Sequence, residues 1–217
     1  MIEIVDIRYC RLGTADLDST IDFATNLIGL EEVDRDNGQI YLRGDHRDHN
    51  ICYFAGDPND HTFGLELESF AELDTAASAL LAAGVEVHRG SDAAAAARRV
   101  MGFINFSDPT GNSVDLVVRP FHSGRRYFPS RDAGITDFSH IGLKSADAAR
   151  DEKFWSELFN IRANDRIGEA ALMSFDEVHH RIALFPTDHA GIQHINFQVE
   201  SIDDIMRSHY FLTERQI

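Results

Sequence analysis

The chain has 217 residues and little cysteine, little basic charge and no long apolar run. Its two cysteines, Cys10 and Cys52, lack the spacing of a CxxC-type metal site. Two are also too few for a disulfide framework, so a reducing cytoplasm is the expected compartment. Lysine and arginine number 20 against 36 aspartates and glutamates, a formal net charge of −16. That balance argues against the basic face of a nucleic-acid binder and reads as solvated acidic surface. No apolar stretch approaches the roughly 20 residues that a membrane helix needs. The opening MIEIVDIRYCRLG has no secretory-type apolar segment. Neither nucleic acid nor membrane is therefore expected as a partner. The composition is otherwise that of a globular protein, 43% hydrophobic and 26% charged. The excess is in histidine, eleven in all. Four of them, His179, His180, His189 and His194, crowd into DEVHHRIALFPTDHAGIQHINF (176–197).

Internal repetition settles the architecture. An offset of 131 residues aligns DIRYCRLGTAD (6–16) with DFSHIGLKSAD (137–147), and HNICYF (49–54) with HRIALF (180–185). One residue more aligns LELESFAEL (65–73) with FQVESIDDI (197–205). Each copy is itself double. SHIGLKSAD (139–147) resembles QHINFQVES (193–201), which pairs His140 with His194; the same comparison in the first copy pairs Tyr9 with Thr62. Four modules follow, at roughly 1–57, 60–120, 135–187 and 190 onward.

Each complete module reads as a strand, an amphipathic helix and short β runs. In the first, an alternating strand spans 2–12. Leu17, Ile21, Phe23, Ala24, Leu27 and Ile28 then recur at helical spacing over 17–30, with Gly29 as a stop signal. Further helices are expected over 71–84 and 149–160, the latter with Phe154 and Trp155 in the core. DPTGN (108–112) should join GFINFSDP and SVDLVVRP as a hairpin. The fold class is α+β, built from tandem βαβββ modules that pair as incomplete barrels. The expected division is 1–120, a connection at 121–134 (FHSGRRYFPSRDAG), and 135–217.

Equivalent inward positions on paired modules converge, so His140 and His194 should face one another. Two neutral imidazoles suit a divalent first-row metal, and one carboxylate added to them makes the 2-His-1-carboxylate face that binds Fe(II) and leaves positions open. The alternative is a pair of hydrogen-bonded core histidines. In HHRIALF, residues 180, 182 and 184 share a strand face, so His180 should point inward and His179 outward or to the rim. The pKa of His180 would lie near working pH, suiting it to proton transfer. Against this, His49 stands at the same place in the first copy, where Tyr9 and Thr62 make poor metal ligands. That copy is expected to bind no metal. His189 lies in a loop and reads as a surface residue. Arg125 and Arg126 read as solvated or ion-paired, and Met173 and Phe175 are weaker candidates to line the pocket.

Paired βαβββ modules with HIGL and HINF heading matched strands resemble the vicinal oxygen chelate superfamily. Two such domains in tandem, with HHRIAL ahead of the second ligand strand, resemble the type I extradiol catechol dioxygenases. The resemblance implies ring cleavage of a catechol by O₂ at a mononuclear Fe(II), with Mn(II) as a second possibility, in the catabolism of aromatic hydrocarbons. It implies His140 and His194 as metal ligands and His180 as the catalytic histidine beside them. It also implies a metal-free N-terminal domain and a glutamate ligand on the last strand. In the first copy an acid, Asp115, occupies the final strand. Its counterpart would fall at about residue 247, past Ile217, by the repeat offset. On that reading module four lacks its final strands, metal binding and activity are weakened, and an open sheet edge favours a homo-oligomer. Two alternatives stay open here: a glyoxalase-like metal-dependent lyase or isomerase, and a metal-free small-molecule binding or resistance protein.

Overall fold

The computed structural model describes residues 1–217. Module one is β1 (Asp6–Thr14), α1 (Leu17–Asp22), β2 (Glu31–Asp36), β3 (Gln39–Arg43) and β4 (Ile51–Ala55). Module two is β5 (His61–Leu67), α2 (Phe70–Ala82), β6 (His88–Arg89), α3 (Asp92–Ala96), β7 (Val100–Ser107) and β8 (Ser113–Pro120). Module three is β9 (Ile135–Ser145), α4 (Ala148–Leu158), β10 (Arg162–Ile167), β11 (Ala170–Ser174) and β12 (Ile182–Pro186). β13 (Gly191–Val199) and α5 (Ile202–Glu214) follow. Strands β1 to β8 form one sheet in the order β2-β3-β4-β1-β5-β8-β7-β6, and the others a second, β10-β11-β12-β9-β13. Neither closes into a barrel. No helix is long and apolar enough to cross a membrane.

Local chemistry explains the element ends. The Asp16 carboxylate accepts from Ser19 N (3.0 Å) and starts α1. Past Asp22 the helix widens into a π-helical turn, Phe23–Ile28. This differs from the single regular helix expected over 17–30. The extra residue per turn breaks the 3.6-residue phase, so Ala24 is buried while Phe23 is 46% exposed. Gly29 ends the turn at φ +96°, and a Cβ there would lie 2.6 Å from the Arg131 carbonyl oxygen. The first strand begins later than expected, because Ile2 bridges Phe159 instead: Ile2 N donates to Leu158 O (2.7 Å) and Asn160 N to Ile2 O (3.0 Å). Between α2 and β7 lie two short elements with no clear sequence signal. The alanine run of α3 has helix propensity but no apolar periodicity. The β7–β8 hairpin forms as expected, with Ser107 opposite Ser113 and Asp108 Oδ1 accepting from the N–H groups of Thr110, Gly111 and Asn112.

The chain divides into two compact units. One holds residues 1–9, 61–121 and 140–195; the other holds 10–60, 122–139 and 196–217. The core of the first is aromatic. Trp155 lies 4.8 Å from Phe159 and 6.1 Å from Phe63, and Phe106 stacks on Phe159 at 6.0 Å. The second is organised around a buried carboxylate. Asp45 accepts from the backbone N–H groups of Arg47 (2.8 Å) and Phe138 (2.9 Å), and from Asn50 Nδ2. It also pairs with the Arg47 guanidinium, which reaches Asp137 at 2.7 Å.

Burial by itself would raise the pKa of Asp45, but Arg47 and the N–H donors outweigh it and hold the carboxyl below its usual value. A depressed folded pKa contributes stability above the unfolded value of about 3.9, lost as pH falls through the folded pKa. Replacing Asp45 by Asn should therefore cost about 3 kcal/mol in urea unfolding near neutral pH. The gap between the two proteins should narrow as the solution is acidified below about pH 4; a gap constant with pH would show that the charge of Asp45 is not what stabilises this unit.

Candidate functional site

In the second sheet β9 lies between β12 and β13. His140 on β9 therefore has His194 on one flanking strand and the approach to β12 on the other. The β9–β12 pairing is parallel, with Ile141 opposite Ile182, and Ile141 N donates to Arg181 O (3.1 Å). β12 starts at Ile182, so His180 stands in the loop ahead of the strand and not on it as the alternation predicts. Its ring still lies against His140, with centroids 4.0 Å apart and planes tilted by 46°.

The two histidines at equivalent positions meet. Nε2 of His140 and Nε2 of His194 are 3.1 Å apart, their rings edge to face. His140 is 9% exposed; His194 and His180 are half-buried. Phe185 of β12 closes on His194 at 5.4 Å. Gly142 makes the approach possible, since a Cβ there would lie 2.5 Å from Cε1 of His194.

All three rings are shifted towards the neutral form. Burial, then His180, His194 and Arg181, push His140 down to about 3. Burial, then His179 and His194, lower His180, and burial lowers His194. Nearby Arg181 was not singled out in the sequence. It is 8% exposed and paired with Asp176 (2.8 Å). No group of three or more histidine, cysteine, aspartate or glutamate side chains comes together to hold a metal ion.

The remaining histidines lie apart from this cluster. His189 is exposed, bonded to Asp188 and to Lys144 Nζ. His49 is buried with its ring edge to face with Tyr41. His179 is at the rim, 3.0 Å from His180 through their Nδ1 atoms. Arg125 and Arg126 offer backbone carbonyls to Arg43 (2.9 and 2.7 Å). Met173 and Phe175 are buried, at 0% and 9% exposure.

The equivalent place in the first copy is filled by side chains. The Tyr9 hydroxyl donates to Asp115 Oδ2 (2.8 Å), and Arg98 Nε donates to the same oxygen (2.6 Å). Asn105 Nδ2 donates to Asp115 Oδ1 (2.9 Å). Arg98 also lies over the Phe103 ring at 4.1 Å. Thr62, the counterpart of His194, donates to Ser113 Oγ (3.0 Å). Asp115 is fully buried, and its countercharge comes from Arg98.

The sequence pattern of the Glyoxalase/Bleomycin resistance protein/Dioxygenase superfamily matches residues 6–116, about half of the chain. The chain belongs to that superfamily. Within it, the chain is similar to a 1,2-dihydroxynaphthalene dioxygenase of Sphingobium xenophagum, at 29% identity over all of this chain and 79% of that protein. An iron-dependent extradiol dioxygenase of Rhodococcus jostii (strain RHA1) is 25% identical over 94% of this chain and 75% of its own length. Among solved structures, that of a catechol 2,3-dioxygenase superposes with a TM-score of 0.89 at 26% identity, covering 99% of this chain and 78% of that one. These superfamily relatives are dioxygenases of aromatic diols.

Replacing Arg98 by Met would leave Asp115 buried without its cation and should destabilise the protein by roughly 3–5 kcal/mol. Adding Asp115→Leu to that variant should recover much of the loss, because an apolar pair of similar volume carries no uncompensated charge. Urea unfolding of the two single variants and the double gives the coupling; strict additivity would show that the pair does not interact.

Proposed function

We propose that this protein opens the aromatic ring of a catechol-type diol with O₂ at a mononuclear non-haem Fe(II) ion. His140 and His194 supply two of its ligands, and His180 handles protons beside it. The observation that carries this reading is the 3.1 Å approach of two neutral imidazole nitrogens from equivalent strand positions.

The donors fit the group. Two imidazole nitrogens held about 2.1 Å from one ion, at roughly a right angle, stand about 3 Å apart. Both rings resist protonation, as ligands must. Imidazole nitrogen also suits Mn(II), so the pair by itself does not choose between the two metals. Bound there with a carboxylate, Fe(II) supplies adjacent open positions at which a diol and O₂ can meet.

The protein's own part follows from geometry. His140, almost fully buried on a central strand, is the fixed ligand. His194 is on the edge strand β13 and is half-buried, so it is the less enclosed of the two. Phe185 excludes water from one flank of the His194 ring. His180 is neutral near pH 7 and can take a proton from a diol hydroxyl as the diol binds, then return it. The likeness to a dihydroxynaphthalene dioxygenase favours a bicyclic diol as substrate.

Anaerobic titration with Fe(II), with acetate present as a source of carboxylate, tests the ligands. One ion should bind per chain. His140→Ala or His194→Ala should each weaken it by more than tenfold, and Gly142→Ala should do the same through displacement of the His194 ring, with the fold retained by circular dichroism. Binding indifferent to both histidine variants would sink the site. Oxygen uptake with a panel of mono- and bicyclic diols tests the reaction. His180→Phe should cut the rate by about 10²–10⁴ while leaving iron bound. Iron held by the pair with no uptake for any diol would overturn ring cleavage.

A further inference from the structure

His180 reaches the histidine pair from a loop, and a loop side chain sets neither its own direction nor its own tautomer. The loop between β11 and β12 is tied down at several points. Asp176 Oδ1 accepts from Val178 N (3.0 Å) and Ser174 Oγ (2.9 Å), and Asp176 Oδ2 accepts from Arg181 Nε (2.8 Å). Asn164 Nδ2, on β10, donates to His179 O (2.9 Å), and Arg181 N donates to Met173 O (2.8 Å). These contacts fix the backbone on both sides of His180. The ring itself has one hydrogen-bonding contact, Nδ1 to Nδ1 of His179 at 3.0 Å. The other nitrogen of His179, Nε2, lies 3.5 Å from Asp165 Oδ2.

The order of these contacts sets where hydrogens reside. Between two Nδ1 atoms 3.0 Å apart, one must carry the hydrogen and the other the lone pair. Asp165, 3.5 Å away and able only to accept, draws the hydrogen of neutral His179 towards Nε2 by its charge. The Nδ1 of His179 is then an acceptor, and the hydrogen of the contact belongs to His180. A neutral imidazole has a single N–H, so Nε2 of His180, on the far edge of the ring, is left bare.

We propose that His179, backed by Asp165, is a positioning residue that holds His180 as its Nδ1–H tautomer with Nε2 free to accept a proton. An unrestrained histidine side chain favours the opposite tautomer, with hydrogen on Nε2, so the arrangement requires a neighbour that accepts at Nδ1. What the bare nitrogen is used for rests on the dioxygenase reading above; the tautomer itself does not.

Long-range ¹H–¹⁵N correlation spectra of histidine-labelled protein, taken without metal at about pH 8, where unperturbed histidine is neutral, report the tautomer of each ring directly. His180→Phe identifies the His180 signals. The native protein should show His180 with hydrogen on Nδ1. His179→Leu, at a position 59% exposed in its side chain and so tolerant of change, should move His180 towards hydrogen on Nε2. His179→Gln keeps an acceptor oxygen and should restore the native pattern. A native His180 already protonated on Nε2, or a tautomer unmoved by His179→Leu, would overturn the proposal. With iron and a diol, His179→Leu should lower kcat by about 10- to 100-fold with KM little changed, and His179→Gln should recover most of it. The expected spectra without turnover of any diol would leave the tautomer assignment standing and remove only the dioxygenase reading.

Discussion

Two imidazole nitrogens face each other across 3.1 Å, and the surroundings are built to permit it. Two cationic rings at that distance would repel, so the contact survives only if protonation is suppressed. Burial does most of this for His140, and the rings of His180 and His194 with the guanidinium of Arg181 do the rest. The strand order makes the meeting unavoidable, since β13 is the sheet neighbour of β9. Gly142 then removes the one side chain that would hold the rings apart. Sheet order, glycine and local charge thus favour the same state: two uncharged imidazoles, each with a lone pair on one ring nitrogen.

A second regularity concerns acids. The chain carries far more of them than it has cations, yet four carboxylates at structural nodes each have an arginine, while buried Asp108 is satisfied by backbone and Asn112 N–H groups. Asp45 pairs with Arg47, Asp115 with Arg98, Asp151 with Arg150 and Asp176 with Arg181. The surplus negative charge lies where water can solvate it. Breaking such a pair costs more than the pair contributes net, because the partner left behind is stranded in low dielectric.

Much of this was legible in the sequence. The 131-residue repeat found both copies, and the HIGL and HINF strand heads picked out two residues that prove to touch. The glycine stops after the first two helices and the DPTGN hairpin followed from turn chemistry. What escaped was set by tertiary contacts. The π-helical turn changes the phase of an otherwise regular pattern, so Phe23 points out. Ile2 leaves the first strand because the chain after α4 offers it a partner. His180 lies two residues ahead of the strand that its alternation implied, in a loop held by Asp176 and Asn164, neither of which has any apolar pattern to reveal it. Arg98 was invisible for a similar reason: nothing local distinguishes an arginine that will meet a carboxylate seventeen residues on.

Arg98 also sets the first copy apart in kind from any metal site. A metal ion is held by equilibrium; it can be chelated, outcompeted by a neighbour in the Irving–Williams order, or oxidised to a state that no longer works. A guanidinium is attached by covalent bonds, stays charged at any pH the fold survives, and has no redox chemistry. The place that Tyr9, Arg98 and Asp115 occupy in the first copy is therefore indifferent to what the surrounding solution supplies.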